Sequence, residues 1–290
     1  MNIRTDLALE RMEVLTGAVP KGVTQEELEE GGVKVTRIRV EDEQGAAALQ
    51  KPPGTYVTLD LRPFKTVTDR LEEEVEAAAN QIRPFLPDKG LVLCVGLGNA
   101  DITPDTIGPM TTASVLATRH IMGEIAASAG LEGLRPVAAL APGVLGQTGM
   151  ETAEVIYAVC RELSPAAVIA VDALASRSVE RLGCTVQIAD TGICPGSGVQ
   201  NARKALTKES LGVPVIAVGV PTVVDMATIA YDLAEGRVDA SMVSDRGRTM
   251  MVTPREIDVI VEQASKLLAF SINRALQPQL SFEELSSLVS

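Results

Sequence analysis

The chain has 290 residues, of which 46% are hydrophobic and only 2% aromatic, so it can bury a large core of mainly aliphatic side chains. A net charge of −12 argues against a nucleic-acid backbone or an anionic membrane surface as its main partner, because both are bound through clustered Lys and Arg. One His and four Cys without a Cys-x-x-Cys pair argue against a zinc site. With no apolar run near the roughly 20 residues of a membrane span and no secretory signal, we expect a cytoplasmic protein.

The first half of the chain predicts two half-buried strands, then a helix, a buried strand and a second helix. Residues 33–40 and 55–61 alternate apolar with polar side chains, as half-buried strands do. Residues 66–83 carry apolar side chains at helical spacing. The apolar run 91–96 predicts a strand buried on both faces, followed by a sharp turn and a long helix from about 103 to 129 that includes His120.

The second half alternates strands with helices. We expect strands at 135–140, 166–171, 185–189, 214–220 and 249–252, and helices at 151–163, from 176–178 onward, at 223–234, from 253 onward and at 281–288. Glycine-rich loops are expected at 141–150 and 193–201. This alternation predicts an α/β fold, a mainly parallel sheet with helices on both faces and antiparallel additions near the N-terminus. With no linker or repeat, we expect one domain over residues 1–290.

Two aspartates stand where core strands are expected to end. Asp105 follows the strand at 91–96 and its turn, and Asp172 follows the strand at 166–171. Ligands of open α/β sheets bind beyond the carboxyl ends of the strands, so the two carboxylates could face each other across one crevice. Paired carboxylates share a proton and can activate water without a metal or a His. Taken singly, Asp105 could equally be a helix N-terminal carboxylate, and Asp172 a cap on the following helix.

Other catalytic motifs fail on this sequence. The turn with Gly96 and Gly98 lacks the third glycine of the dinucleotide fingerprint, and no Walker-type phosphate loop exists. The nucleophile elbow Gly-x-Ser-x-Gly is missing too. A Ser or Cys nucleophile would have to use His120, the single His.

Motifs in the same order along most of the chain resemble those of the germination proteases of spore-forming bacteria. The matching segments are IRTDLALE from Ile3, VTRIRV from Val35, VGLGN with TPDTIGP, PGVLGQTGMET from Pro142, VDALASRS from Val171, TGICPGSGV from Thr191, GVPVIAVGVPTVVD from Gly212 and VTPREID from Val252. The resemblance implies a three-layer, phosphorylase-like α/β fold that is shared with hydrogenase maturation endopeptidases. It further implies a homotetrameric endopeptidase that degrades small acid-soluble spore proteins in the spore core during germination. From the composition and charge we expect no cofactor, no bound metal and no direct contact to nucleic acid or membrane, and metal dependence of the activity stays open.

The resemblance also assigns roles to residues. It implies that Asp105 and Asp172 are the catalytic pair of an atypical aspartic peptidase. By the same resemblance, a set of glycine and polar residues shapes the site or positions the substrate: Gly96, Gly98, Asn99, Gly108, Arg177, Thr191 and Gly192.

The N-terminus resembles the family's substrates, which are cleaved after Glu in sequences such as Thr-Glu-Ile-Ala. The segment Thr5-Asp6-Leu7-Ala8 has the same pattern, with Asp for Glu and Leu for Ile. Because the family is made as a self-processing zymogen, we predict self-cleavage between Asp6 and Leu7, with residues 1–6 as a short pro-segment. Two rival interpretations stay open: a hydrogenase-maturation-type endopeptidase, which uses nickel, and a non-catalytic α/β binding module.

Overall fold

The computed structural model of the protein describes residues 5–15, 18–66, 69–121, 128, 132–194, 204–233 and 243–289. Within these ranges the strands are β1 (Val23–Glu30), β2 (Val33–Val40), β3 (Gly54–Asp60), β4 (Val92–Gly96), β5 (Val137–Leu140), β6 (Ala167–Ser176), β7 (Thr185–Ala189), β8 (Val215–Asp225) and β9 (Met251–Val252). The helices are α1 (Ala8–Val14), α2 (Glu43–Leu49), α3 (Leu71–Ile82), α4 (Ile107–Ala113), α5 (Leu145–Thr148), α6 (Thr152–Leu163), α7 (Lys208–Leu211), α8 (Met226–Leu233), α9 (Asp245–Arg248), α10 (Ile257–Leu276) and α11 (Phe282–Val289).

The strands form one mixed sheet in the order β1-β2-β3-β7-β8-β6-β4-β5, with β9 paired to β8. Strands β5, β4, β6 and β8 run parallel to their neighbours in that series. Strands β7, β3, β2 and β1 continue the sheet in antiparallel pairs. The α/β class, with antiparallel strands added by the N-terminal part of the chain, is therefore confirmed.

Helices cover both faces of the sheet because alternate residues of its central strands point to opposite sides. In β6, Ile169 and Val171 join the larger core, in which α3 and α10 pack on the sheet. Val168 and Ala170 join a second core, which includes Ile156 of α6. No helix in the described ranges is long and apolar enough to span a membrane.

The sequence predicts β2 but not β1, the first strand of the hairpin that the two strands form. Five consecutive positions of β1, from 24 to 28, are polar or acidic except the last, so no period of two is visible there. Gly31 and Gly32 both have positive φ, as tight two-residue hairpin turns require. Cross-strand ion pairs from Lys34 and Arg37 of β2 to acidic residues of β1 accompany the pairing. The acidic outer face suits a strand at the edge of a sheet.

The long helix expected from 103 to 129 is wrong. A single 3-10 turn at Thr103–Asp105 precedes α4, which already ends at Ala113. Beyond it, tertiary bonds replace helical ones: the Asn273 side chain accepts from the Leu116 N–H and donates to the Ser114 carbonyl. His120 consequently lies exposed in a turn, and 122–127 and 129–131 lie outside the described residues.

Strands β6 and β8 are both longer than expected, which removes two expected helix starts. Strand β6 continues to Ser176, so no helix begins at 176–178, and a single 3-10 turn at Val179–Arg181 follows. Strand β8 continues through Pro221 to Asp225, and the next helix starts at Met226. The pairing register shifts between Leu174 and Ala175, opposite Pro221, and such an irregularity tolerates a proline within a sheet. Most of the glycine-rich turn at 193–201 lies outside the described residues.

Candidate active site

A cleft of about 760 Å³ lies beside the end of β4 and the second halves of β6 and β8. Its walls include both candidate aspartates, Asp105 and Asp172, together with Asp6 from the N-terminal segment. The fold thus brings together the two carboxylates and the segment that the sequence singled out separately.

Asp105 is held by the turn after β4. Its Oδ2 accepts a hydrogen bond of 2.7 Å from the Asn99 N–H. The chain can approach this closely because residue 98 is glycine: Gly98 has φ of +115°, and a Cβ there would lie 2.1 Å from the Asp105 carbonyl oxygen. The Asp105 carboxylate therefore accepts a hydrogen bond from the turn that follows β4, although Asp105 also lies just before α4.

Asp172 lies inside β6 and not at its carboxyl end. It is only 7% exposed, and its Oδ1 accepts from the adjacent Ala173 N–H at 2.9 Å. The alternative role as a cap on the following helix is wrong, because β6 continues for four more residues in pairing with β8.

The strand register aligns Asp172 with Gln187 in one row across the sheet. Gly219 of β8 pairs with Asp172 of β6 on one side and with Gln187 of β7 on the other. Directly opposed residues point to the same face, and two strand spacings separate Gln187 from Asp172 by roughly 10 Å. All three residues line the cleft, and the Leu174 side chain occupies the space that a Cβ on Gly219 would need.

The N-terminal segment binds to β6 through Asp6. The Asp6 N–H donates to the Ala175 carbonyl, and the Ala175 N–H donates to Oδ2 of Asp6, both at 2.8 Å. Ala175 stands at the register shift of β6, where a bulge redirects backbone groups. Both backbone groups of Ala175 thus bind Asp6, its N–H through the carboxylate and its carbonyl through the backbone N–H.

Two side chains converge on the carbonyl oxygen of Asp6. Lys51 Nζ donates to it at 2.7 Å and Gln187 Nε2 at 2.9 Å. The other side-chain atom of Gln187, Oε1, accepts from the Ala8 N–H at 2.7 Å. Leu7, which lies between Asp6 and Ala8, is fully buried. The Asp6–Leu7 peptide bond therefore lies within a polar clamp at the cleft.

Glu10 anchors the same segment from α1. Its carboxylate accepts from the Arg177 N–H at 2.6 Å and from the Ser178 N–H at 2.9 Å, immediately after β6. Arg181 Nε lies 3.6 Å from it, and Thr5 also bonds to it. At 1% exposure, this carboxylate is one of the most buried charges in the described part of the chain.

Of the remaining predicted site residues, some line the cleft and others support it. Gly98, Asn99, Thr191 and Gly192 line it. Gly96 and Gly108 lie behind it, where a Cβ on Gly96 would be 2.2 Å from the Gly108 carbonyl oxygen. Arg177 serves through its backbone N–H to Glu10. In the described ranges, no three His, Cys, Asp or Glu side chains come together as metal ligands would.

Sequence reasoning missed Lys51, Gln187, Ala175 and Glu10. Gln187 gave the clearest signal, since a long polar side chain stands at the centre of β7, a strand that is buried at all five positions. Lys51 follows α2 in a loop that the sequence marks only as polar. Their partner Asp6 is more than 40 residues away in each case, so local patterns could not link them.

Burial shifts the pKa of two groups near the polar clamp, Lys51 and Tyr56. Burial lowers the pKa of the Lys51 ammonium, and Arg11 lowers it further, whereas the negative charges of Asp6 and Glu10 raise it. Burial raises the pKa of Tyr56 in the cleft wall to about 12. The Tyr56 hydroxyl donates to the Pro52 carbonyl at 2.8 Å, so the neutral phenol is the form that fits the fold.

The family model and the curated relatives that match this chain indicate one family. A family model described as germination protease matches residues 10–239. The germination protease of Clostridium tetani (strain Massachusetts / E88) is 39% identical over 325 aligned positions, covering 100% of both chains. That of Caldanaerobacter subterraneus subsp. tengcongensis is 41% identical, covering 100% of this chain and 98% of the relative. Among solved structures, a [NiFe] hydrogenase maturation protease HycI from Thermococcus kodakarensis KOD1 aligns with 68% of this chain and 98% of its own, at a TM-score of 0.37 and 17% identity.

Proposed function

This chain belongs to the germination protease family, and on that premise we propose that it cleaves small acid-soluble spore proteins by an atypical aspartic mechanism. Membership makes it a peptidase of spore germination. One observation carries the finer proposal: the cleft that contains Asp105 and Asp172 also has in its wall Asp6, which belongs to the substrate-like segment Thr5-Asp6-Leu7-Ala8.

In the proposed reaction, the two aspartates share one proton and act on a water molecule. The ionised carboxylate takes a proton from the water molecule while the water oxygen attacks the scissile carbonyl carbon. The protonated partner hydrogen-bonds the reacting groups and gives its proton to the leaving amine as the carbon–nitrogen bond breaks. A pair so coupled titrates as a unit, so the acid and alkaline limbs of the rate profile belong to both residues together.

We also propose that the full chain is a zymogen that cuts itself between Asp6 and Leu7. The support is geometric: Asp6 is paired to Ala175, its carbonyl is clamped by Lys51 and Gln187, and Leu7 is fully buried. A segment in that position occupies the place of a substrate. Its removal would open the cleft to proteins in trans.

The family resemblance alone supports the rest of the proposal. The active form is a homotetramer in the spore core and uses no cofactor. The acidic net charge of −12 fits an enzyme whose substrates are free spore proteins and not spore proteins on DNA. Light scattering on the purified chain tests the assembly, with four chains per particle as the expected result and a monomer as the result that contradicts it.

A peptide assay tests the activity and its mechanism. A peptide containing Thr-Glu-Ile-Ala is incubated with the chain after self-processing, and the products are identified by mass. We expect cleavage after Glu. The Asp172→Asn and Asp105→Asn variants are made in a chain that begins at Leu7 and is otherwise unchanged. Each should lower the cleavage rate by at least about 10³-fold, as loss of an essential acid–base group does.

The matched control is Asp69→Asn, whose side chain is 94% exposed and lies outside the cleft. The same Leu7-start chain with this change should retain the parent rate. Equal cleavage by the Asp172→Asn variant would remove Asp172 from the mechanism. Absence of cleavage by the parent would favour the non-catalytic binding module.

A further inference from the structure

We propose that Lys51 and Gln187 form the oxyanion hole of this peptidase, donating hydrogen bonds to the scissile carbonyl as negative charge develops on its oxygen. The inference rests on the proposed function, since it takes the Asp6–Leu7 bond as a bond that the cleft cleaves. It adds two residues, from two separate elements, to the chemistry assigned to the aspartates.

The first support is convergence on a single atom. Lys51 follows α2 and Gln187 lies in β7, yet their nitrogens are 2.7 Å and 2.9 Å from the same Asp6 carbonyl oxygen. A carbonyl oxygen has two lone pairs, and here both are directed at side-chain donors. This is the arrangement that stabilises a tetrahedral intermediate in acyl transfer.

The second support is preorganisation. Gln187 is 8% exposed, and the Ala8 N–H bonded to its Oε1 fixes which end of the amide faces Asp6. A donor that is already oriented needs no reorganisation when the charge forms. Gln187 also lies in the same register row as Asp172, on the other side of Gly219, and both side chains line the cleft. The amide donor and the catalytic carboxylates therefore belong to one cleft.

The third support is charge. In its protonated form, Lys51 places a positive charge at the oxygen that becomes negative, in a half-buried position where electrostatic attraction is stronger than in water. The charged groups that face it are Asp6, Glu10 and Arg11, two acids and one base. Burial has the largest effect and lowers the pKa of Lys51 overall, whereas the two acids act in the opposite sense and favour the charged ammonium.

The test follows self-cleavage of the full chain by intact mass, because this intramolecular reaction reports on the chemical step without a substrate-binding constant. Lys51→Met and Gln187→Met keep similar volume but remove the donors. We expect each to slow release of the segment ending at Asp6 by about 10²–10³-fold, the usual effect of losing one oxyanion donor. Lys51→Arg, which keeps a charged donor, should cleave itself at a rate between those of Lys51→Met and the parent.

The matched controls are Lys89→Met and Gln25→Met, which change exposed residues outside the cleft. Both variants should cleave themselves at the parent rate.

A second measurement separates catalysis from mere binding of the segment. Hydrogen exchange of residues 5–10 is followed in the same variants, because Ala175 and Glu10 hold the segment independently of the clamp. Retained protection with slow cleavage supports the oxyanion role. Slow cleavage with a matching loss of protection would overturn it and leave a positioning role. Gln187→Glu, which replaces the donor with an acceptor, repeats the test if Gln187→Met does not fold.

The outcomes also separate this inference from the proposed function. An active parent with equally active Lys51→Met and Gln187→Met variants overturns the inference alone. A parent that cuts neither itself nor the Thr-Glu-Ile-Ala peptide overturns both. The pH profile adds a further check: loss of the Lys51 proton should add to the alkaline fall of the parent rate, and Lys51→Met should retain only the part of that fall that belongs to the aspartate pair.

Discussion

At the scale of single residues, glycine sets how closely the elements around the cleft can pack. A Cβ on Gly108 of α4 would lie 2.1 Å from the Leu97 carbonyl oxygen and 2.6 Å from that of Val171. Backbone atoms cannot yield as a flexible side chain can. Helix α4 therefore rests directly on the residue after β4 and on the middle of β6, next to Asp172.

Gly108→Ala should destabilise the protein by about 3 kcal/mol, at the upper end of the usual cost of overpacking, and should lower peptidase activity with it. Urea unfolding measures the stability. The control is Gly146→Ala in α5, where nothing lies within 4 Å of the new Cβ and the change should be neutral or slightly stabilising. Equal stability of the Gly108→Ala variant and the parent would contradict the packing account.

The same scale shows what the sequence could reveal about the site. Asp105 and Asp172 were predicted because each follows an apolar run that forms a buried strand, a local signal. The sequence did not predict the roles of Lys51, Gln187 and Glu10. Each of them acts on partners that are distant in the chain and are brought close only by the fold. Glu10 is 167 residues from the Arg177 N–H that it accepts from.

At the scale of elements, the N-terminal segment with α1 depends on one buried carboxylate. Glu10 and Glu13 both pair with Arg181, but only Glu10 also accepts from two backbone N–H groups and is 1% exposed, whereas the Glu13 side chain is 47% exposed. The burial of Glu10 makes it the residue on which docking of the segment depends.

Glu10→Gln should lower the free energy of unfolding by about 1–3 kcal/mol, because the new amide cannot accept at both positions and a buried hydrogen bond is lost. It should also slow self-cleavage. Glu13→Gln, which loses one exposed ion pair with the same arginine, should change stability by less than about 1 kcal/mol. A larger loss for Glu13→Gln than for Glu10→Gln in urea unfolding would contradict this assignment.

Element types were predicted better than element ends. Strands β2, β3 and β7 and helices α6 and α10 follow clear periodic patterns. Strands β6 and β8 were cut short because Ser176 and Pro221 resemble helix-start signals, whereas pairing between these two long strands overrides those local preferences. The helix expected to reach residue 129 ends at Ala113 because Asn273 of α10 takes the backbone groups that would have continued it.

At the scale of the whole molecule, strand order could not be read from the chain. The sequence indicated antiparallel strands near the N-terminus, but not that β7 joins them to the parallel part between β3 and β8. That placement is what brings Gln187 into one row with Asp172. It also buries Tyr56 and couples global stability to alkaline pH.

The sign of this pH dependence follows from the raised pKa of Tyr56, from 10.0 to about 12. The unfolded chain loses the phenol proton first, so this stabilising contribution is complete below the unfolded pKa and is lost as the pH rises toward the folded value. The difference in unfolding free energy between the parent and Tyr56→Phe should shrink by about 1.4 kcal/mol for each pH unit in that window. The same difference for Tyr157→Phe, on an exposed tyrosine, should change little, and a constant difference for Tyr56→Phe would contradict the assignment.

The most direct test of the central claim is the intact mass of the full chain before and after incubation, for the parent and for Asp172→Asn. The account predicts that the parent loses its residues up to Asp6 and begins at Leu7, while the Asp172→Asn chain keeps its full mass. A cut at another bond, or the same cut in the Asp172→Asn chain, would contradict the claim that the cleft holds its own N-terminal segment as a substrate and cleaves it with this aspartate.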